Sequence, residues 1–405
     1  MKKYVVFLIL CSLIVYQFSF TKMCGCNMAL AADVKPGVVI DQNNWEKYKD
    51  VLVIPYRSEL KEGLVTMRIM ETKPVKFPRA FNEATRRNVG KTSLDKDGGL
   101  VNYVAGIPFP KIDPQDPQAG NKLVWNQYWH WMGDDYYLDH ADRWCTNPQG
   151  QEILAGTCQA FLRATGRVTL DPKPAIPGYE DIETFFVNMN LYPRDAAGTT
   201  VMTKRYSNPV KEDDMWIYIP SLRRVRRFPT SQRCSTIAPT VYTNDDIYGF
   251  RGKVPRFNYQ FVGDKKLIAL CHQKHHPVKQ RKGSAMPQDE DWEVRDFWVV
   301  KQTPKDPSYC YSKRIFYYDK EFWENMHVDI YDRKGEYWKA VPAHVYTKTL
   351  KGEPDIYFST AGTGYDFQSG HKTFTYYEWE NDVGIKVGEF ALSNMVRAAR
   401  MGRFR

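Results

Sequence analysis

The sequence predicts an α+β fold dominated by β-structure: an antiparallel meander with helices packed on it. Three observations carry this. The 405 residues include 26 Tyr, 21 Phe and 11 Trp, side chains that pack well on a pleated surface. From residue 161 onward, short apolar runs recur between Pro, Gly, Asn and Asp turn signals. Strands joined by tight turns pair antiparallel, whereas parallel pairing needs long crossovers. Helical spacing is confined to the regions flanking these runs. A hydrophobic content of 43% excludes a disordered chain, and a mean hydropathy of −0.54 excludes a polytopic membrane protein.

The chain opens with an address. Met1-Lys2-Lys3 is basic, Tyr4 to Phe20 is almost wholly apolar, and Ala29-Leu30-Ala31 offers an A-x-A cleavage site. That order is a bacterial secretory signal over residues 1–31, with an apolar run short of the roughly 20 residues that span a bilayer. It predicts a periplasmic protein. Retention as an anchor stays open, as does processing to an outer-membrane lipoprotein with Cys26 lipidated after Gly25. Removing the leader takes three lysines and no acid, so the formal charge falls from +10 to +7. In a compartment without nucleic acid, that balance points to anionic surfaces, anionic ligands or acidic proteins.

Residues 32–160 read as an N-terminal helical and irregular region. Asp41 can cap a helix whose Trp45, Tyr48 and Leu52 share a face until Pro55 ends it. Residues 71–120, rich in Pro, Gly, Lys and Asp, form an irregular connection. Val124, Trp125, Tyr128, Trp129 and Met132 mark a second helical stretch. Residues 161–405 form the β domain, with strands expected at 161–170, 180–191, 199–206, 215–219, 225–228, 256–270, 292–302, 309–319, 327–331 and 337–347. Both faces of the 215–219 strand are apolar. One can meet the core, and the other needs a second cover, a helix or a bound apolar molecule. A short helix and a basic tail close the chain.

Five cysteines follow the leader. Cys145 and Cys158 flank the turn-rich Asn147-Pro148-Gln149-Gly150 and are the expected disulfide. Cys234, Cys271 and Cys310 leave a second bridge open.

Three stretches carry a family resemblance: AGIPFP at 105–110, DMWIYIPSLRRVRR at 214–227, and YDK at 318–320 with DIYDRKG at 329–335. Together they resemble the secreted Gram-negative family called domain of unknown function thirteen-twenty-nine, often described as an outer membrane lipoprotein-sorting protein. The last segment is also similar to the lipoprotein carrier LolA and acceptor LolB. The resemblance implies a LolA/LolB-like half-open antiparallel β-barrel, closed at one side by helices, around a hydrophobic cavity. It also implies RND-type efflux proteins as neighbours. The chain is much longer than LolA, so residues 32–160 have no counterpart there.

On such a scaffold Trp216, Tyr218, Phe185, Val187, Tyr259, Phe261, Phe297 and Val299 sit at alternating strand positions and could line the cavity. Packing against the helices is the alternative. Arg223, Arg224, Arg226 and Arg227 form a guanidinium cluster suited to carboxylates or phosphates, or else a solvated hairpin face. Cys271-His272-Gln273-Lys274-His275-His276 holds metal-ligating types. An apparent strand before it and Pro277 after it argue against the helix that would align His272 with His276. The acidic stretch Asp134, Asp135, Asp139, His140, Asp142 matches no ligand spacing. HExxH, GxSxG, GxxxxGK[ST] and GxGxxG are absent, and Gly362-Thr363-Gly364 lacks the third glycine. No metal, cofactor or catalytic residue is expected. The expected function is periplasmic binding or carriage of a lipid, lipoprotein acyl chains or another hydrophobic molecule, with an RND-type transporter or outer-membrane partner. A metal- or Ser/Cys-dependent hydrolase on the same scaffold and a structural envelope protein without ligand are the alternatives.

Overall fold

The computed structural model describes residues 34–228 and 233–404. The expected leader, with Cys24 and Cys26, lies outside the described residues. The strands are β1 (Val39–Ile40), β2 (Met67–Met70), β3 (Ser93–Leu94), β4 (Leu100–Val101), β5 (Asp135–Thr146), β6 (Glu152–Arg163), β7 (Ile182–Tyr192), β8 (Thr200–Tyr206), β9 (Asp214–Ile219) and β10 (Arg224–Arg227). They continue with β11 (Phe257–Ala269), β12 (Asp291–Pro304), β13 (Lys313–Asp319), β14 (Asn325–Tyr331), β15 (Tyr337–Leu350), β16 (Glu353–Asp366), β17 (His371–Tyr377) and β18 (Glu380–Asn381). The α-helices are α1 (Ile54–Lys61), α2 (Arg79–Asn88), α3 (Ala119–Tyr128) and α4 (Leu392–Met401).

One large sheet dominates. Its main path runs β11-β12-β13-β14-β15-β16-β17-β5-β6-β7-β8-β9-β10, and every neighbour on that path is antiparallel. The chain thus forms two meanders, joined where β17 pairs with β5. The free edges, β10 and β11, are consecutive in sequence. The sheet is a barrel left open between them, and residues 233–256 lie across the gap. This segment, the strap, hydrogen-bonds to both meanders across the concave face: Val241 N–H donates to Thr373 Oγ1 of β17 at 3.1 Å, and Arg205 Nη2 of β8 donates to Arg251 O at 2.6 Å.

The sheet does not begin at 161: β1 and β2 join it, β2 running parallel to β12, and β5 and most of β6 also lie in the stretch expected to be the N-terminal region. A register shift between Leu138 and Ala141 breaks the alternation of β5, and its Asp and His residues imitate a solvated loop. β16 and β17 also escaped sequence reasoning, because Gly362 and Gly364 weaken the strand signal. In the N-terminal region, Trp45–Val51 is a 3₁₀ turn, and Pro55 opens α1 instead of ending a helix. Proline is tolerated in a first turn, where the missing N–H has no partner to lose. Helix α2 lies inside the stretch expected to be irregular. Helix α1 is fixed by its buried Glu59, which accepts from Ser284 and Tyr365 hydroxyls and ion-pairs with Lys372 at 3.1 Å.

The disulfide is Cys234–Cys310, and Cys145 and Cys158 are free and buried. The tight β5–β6 turn sets Cys145 opposite Ile153, five residues from Cys158. At the rise of a strand that is about 16 Å, beyond any bridge. Burial pushes the Cys158 thiol up to about 12. The observed bridge instead ties the strap to the β12–β13 connection. Its ends are 76 residues apart, which in the loop-entropy model stabilises the fold by about 4.5 kcal/mol. Replacing both cysteines by serine should lower stability by up to that amount in urea titration. An unchanged midpoint would contradict the assignment.

Candidate functional site

Side chains alternate across a strand, so each strand faces two environments. On the convex side of β5–β9, Tyr137, Leu162, Phe185, Val187, Met202 and Tyr218 form a core with Ile385, Phe390 and Met395, and Trp216 packs against it. The C-terminal helix α4 therefore covers that face. The concave side carries Arg143, Thr157, Asn188, Val201 and Met215, which line a hollow. Both faces of β9 are indeed covered, one by a helix and one by the hollow.

This assignment corrects the expected lining. Trp216, Tyr218, Phe185 and Val187 meet α4, while Tyr259 and Phe261 pack with Leu123, Val124 and Trp125 of α3. Phe297 and Val299 are buried and border neither hollow. Where both faces are apolar, alternation alone cannot tell which one meets the helix, and a shift of one residue exchanges them. The residues that line the hollow, such as Phe186 and Met215, are sequence neighbours of those expected.

The strap divides the concave side into two hollows. The larger, about 320 Å³, lies over β5–β9 and is walled by Phe186, Val201, Met215, Phe228 and Ile237. The smaller, about 120 Å³, lies between the strap and β14–β17, against His130, Glu324, Asn325, Tyr357 and Trp379. Arg143, Gln159, Tyr242 and Ile247 border both. Gly364 lets the strap sit this close: a Cβ there would lie 2.7 Å from the Tyr242 ring and nearer still to Val241.

Ion pairs hold the strap. Asp246 accepts from Thr243 N–H at 2.9 Å, the Tyr311 hydroxyl at 2.7 Å and Arg314 Nη2 at 3.0 Å. Burial alone would raise its carboxyl, but Arg314 and Lys339, with these donors, outweigh it and hold it below the usual carboxylate value. Asp245 pairs with Arg233 at 3.1 Å, and Lys253 with Asp213 at 3.0 Å. Tyr248 meets the Tyr136 hydroxyl on β5.

The larger hollow is electropositive. Its lining includes Arg143, Arg205, Arg233 and Arg251 against only Asp213 and Asp245. Arg205 pairs with Asp213 at 3.2 Å, and Arg233 with Asp245. Arg251 has no carboxylate partner among the described residues, and its guanidinium lies 5.4–5.6 Å from the ring centres of Phe161, Phe186 and Tyr248. Arg143 donates to no group among the described residues. Burial lowers its pKa, whereas at Arg205 and Arg314 neighbouring acidic groups reverse that effect.

The other singled-out residues are placed apart. Arg223, Arg224 and Arg226 are exposed at the edge strand β10 or its entry, while Arg227 pairs with Asp214. His272 pairs with Glu293, His275 with Glu290 at 3.1 Å, and His276 with the Tyr376 hydroxyl at 2.6 Å. Asp134 accepts from the N–H groups of Val168, Thr169 and Leu170, and Asp135 from those of Val383, Gly384 and Ile385. Both carboxylates are clamps for loops. His140 and Asp142 meet at 2.7 Å beside Tyr192, at the rim of the larger hollow.

The fold is a half-open antiparallel barrel, with α4 on its outer face and the strap and α3 on its inner one. The chain belongs to the family described as protein of unknown function (DUF1329), whose model matches residues 39–395. It is 28% identical over 359 residues to the uncharacterized protein PA3922 of Pseudomonas aeruginosa, covering 84% of this chain and 75% of that one. A DUF1329 family crystal structure from Desulfovibrio piger superposes with TM-score 0.52 at 19% identity, covering 69% of this chain and all of that one. A domain from Vibrio parahaemolyticus assigned to outer membrane lipoprotein sorting gives 0.51 at 17%, covering 70% and 100%. A LolA superfamily protein from Nitrosomonas europaea gives 0.41 at 15%, covering 65% and 93%. At these identities the first two structures show the fold alone.

Two substitutions test the strap. Asp246→Asn leaves Arg314 without its charge partner, and should cost about 3–5 kcal/mol near neutral pH. Because the folded carboxyl titrates below its unfolded value of 3.8, that contribution is complete above this value and fades as pH falls through the folded one. Denaturant midpoints of the two proteins should therefore converge in acid, and a gap independent of pH would refute the pairing. Gly364→Ala should cost roughly 1–3 kcal/mol by overpacking, and should increase exposure of the strap to limited proteolysis.

Proposed function

We propose that this chain is a periplasmic, non-catalytic carrier that holds a lipid, lipoprotein acyl chain or other hydrophobic molecule beneath the strap. The carrying observation is the hollow of about 320 Å³ on the concave face. Protein interiors are packed like organic crystals, so a hollow of this size walled in part by apolar side chains is room for a guest. The volume falls within the range of small-molecule sites. Each CH₂ moved from water into such a hollow stabilises the complex by about 0.8 kcal/mol. The same fold in a domain assigned to lipoprotein sorting supports the reading, as does the secretory pattern of residues 1–31. No helix among the described residues is long and apolar enough to cross a membrane. The exposed Arg223, Arg224 and Arg226, beside Phe228 at the hollow, form the contact for an acidic patch on an RND-type transporter or outer-membrane partner.

Native mass spectrometry of protein purified without detergent should show a co-purifying hydrophobic molecule. After delipidation, the protein should bind the uncharged fluorophore N-phenylnaphthylamine, with less binding when Met215→Trp fills the hollow. Protein that is free of any guest and does not bind the fluorophore would end the carrier reading.

A further inference from the structure

We propose that the guest is an anionic amphiphile, a single acyl or alkyl chain bearing a carboxylate or phosphate, and that Arg143 binds its head. The inference rests on the carrier reading and narrows its cargo. Three observations converge on it. Arg143 stands on the concave face of β5, opposite Ala155 on β6 and Thr375 on β17, in the wall common to both hollows. It is partly buried and makes no hydrogen bond or ion pair to any described residue. A guanidinium removed from water is costly to leave without an anion. Elsewhere in this interior Arg205, Arg295 and Arg314 each meet a carboxylate, Arg167 donates to the carbonyls of Pro172 and Arg163, and Arg163 lies over the Trp129 ring.

The second observation is the sign of the whole chamber. Both lining carboxylates, Asp213 and Asp245, are already paired, and Arg251 adds a further cation without a carboxylate partner. Within low-dielectric walls such an excess favours a negatively charged guest. The third is the zoning of the walls. Thr157 and Gln159 line the same wall as Arg143, with the Thr157 hydroxyl buried and lacking a partner among the described residues. The apolar side chains Phe186, Val201, Met215, Phe228 and Ile237 line the rest. A planar fork that matches carboxylate and phosphate oxygens, beside a neutral hydroxyl donor and an apolar chamber, suits a charged head with a chain attached. An uncharged hydrocarbon or sterol would leave Arg143 buried and unpaired.

The test displaces bound N-phenylnaphthylamine with dodecanoate, dodecyl phosphate and 1-dodecanol, which share a chain and differ in the head. At least one anion should displace the fluorophore at a concentration about tenfold lower than the alcohol, the effect expected of one charge-assisted hydrogen-bonded pair. The better of the two anions identifies carboxylate or phosphate as the head. Arg143→Gln should remove the preference, so that anions and alcohol displace the fluorophore at similar concentrations, and Arg143→Lys should retain part of it. Thermal melting checks that the variants fold, and the wild-type ratio decides the matter if they do not. Equal displacement by alcohol and anions, or a preference that survives in Arg143→Gln, overturns the anionic head and leaves the carrier reading standing. Failure of the fluorophore and all three competitors to bind overturns both.

Discussion

The structure depends on one topological constraint. The two free edges of the sheet, β10 and β11, follow each other in the chain, so the segment between them has to cross the concave face. A crossing segment carries backbone polar groups into a place with little water, and each needs a partner. Asp246 resolves much of this, gathering Thr243, Tyr311 and Arg314 around a single carboxylate. Lys339 and Thr373 take the groups of Val241, and the Cys234–Cys310 bridge fixes the entry of the strap. Without these ties the concave face would be an open trough.

The strap also explains why the two ends of the barrel differ. Over β11–β15, Phe250 and Val254 of the strap join Leu123, Val124 and Trp125 of α3 in a filled core. Over β5–β9 the strap stands away from the sheet, leaving the larger hollow beneath it. Helix α4 packs on the outside of those same strands. The wall of the hollow is therefore one strand layer thick, supported from behind by a helix. The strap is the part of the enclosure attached through side-chain contacts instead of a β-ladder.

Much of the fold was legible in the sequence, and the reasons are local. The 182–192, 200–206, 214–219 and 257–269 strands carry β-branched and aromatic residues between turn signals, and all four appear where expected. β5 was hidden because its bulge places Asp139 and His140 where alternation would need apolar residues. β16 was hidden because Gly362 and Gly364 weaken the strand signal, and Gly364 is there to admit the strap, a neighbour about 120 residues away in sequence. The candidate site was less legible. Sequence marked the correct strands and the need for two covers on β9, but pointed to the helix-facing residues. It singled out the dense exposed arginines of β10 and passed over Arg143, which stands alone among Asp142, Trp144 and Cys145.

By itself, the sequence determined the antiparallel meander, its aromatic richness and the family to which the chain belongs, because propensity, turn chemistry and short motifs act over a few residues. Tertiary structure decided which face of each strand is wall and which is backing, which cysteines meet, and that Arg143 stands in the wall of both hollows. Those outcomes depend on where the strap and helices α3 and α4 come to rest, through contacts between residues separated by tens to hundreds of positions. Local periodicity carries no record of such contacts.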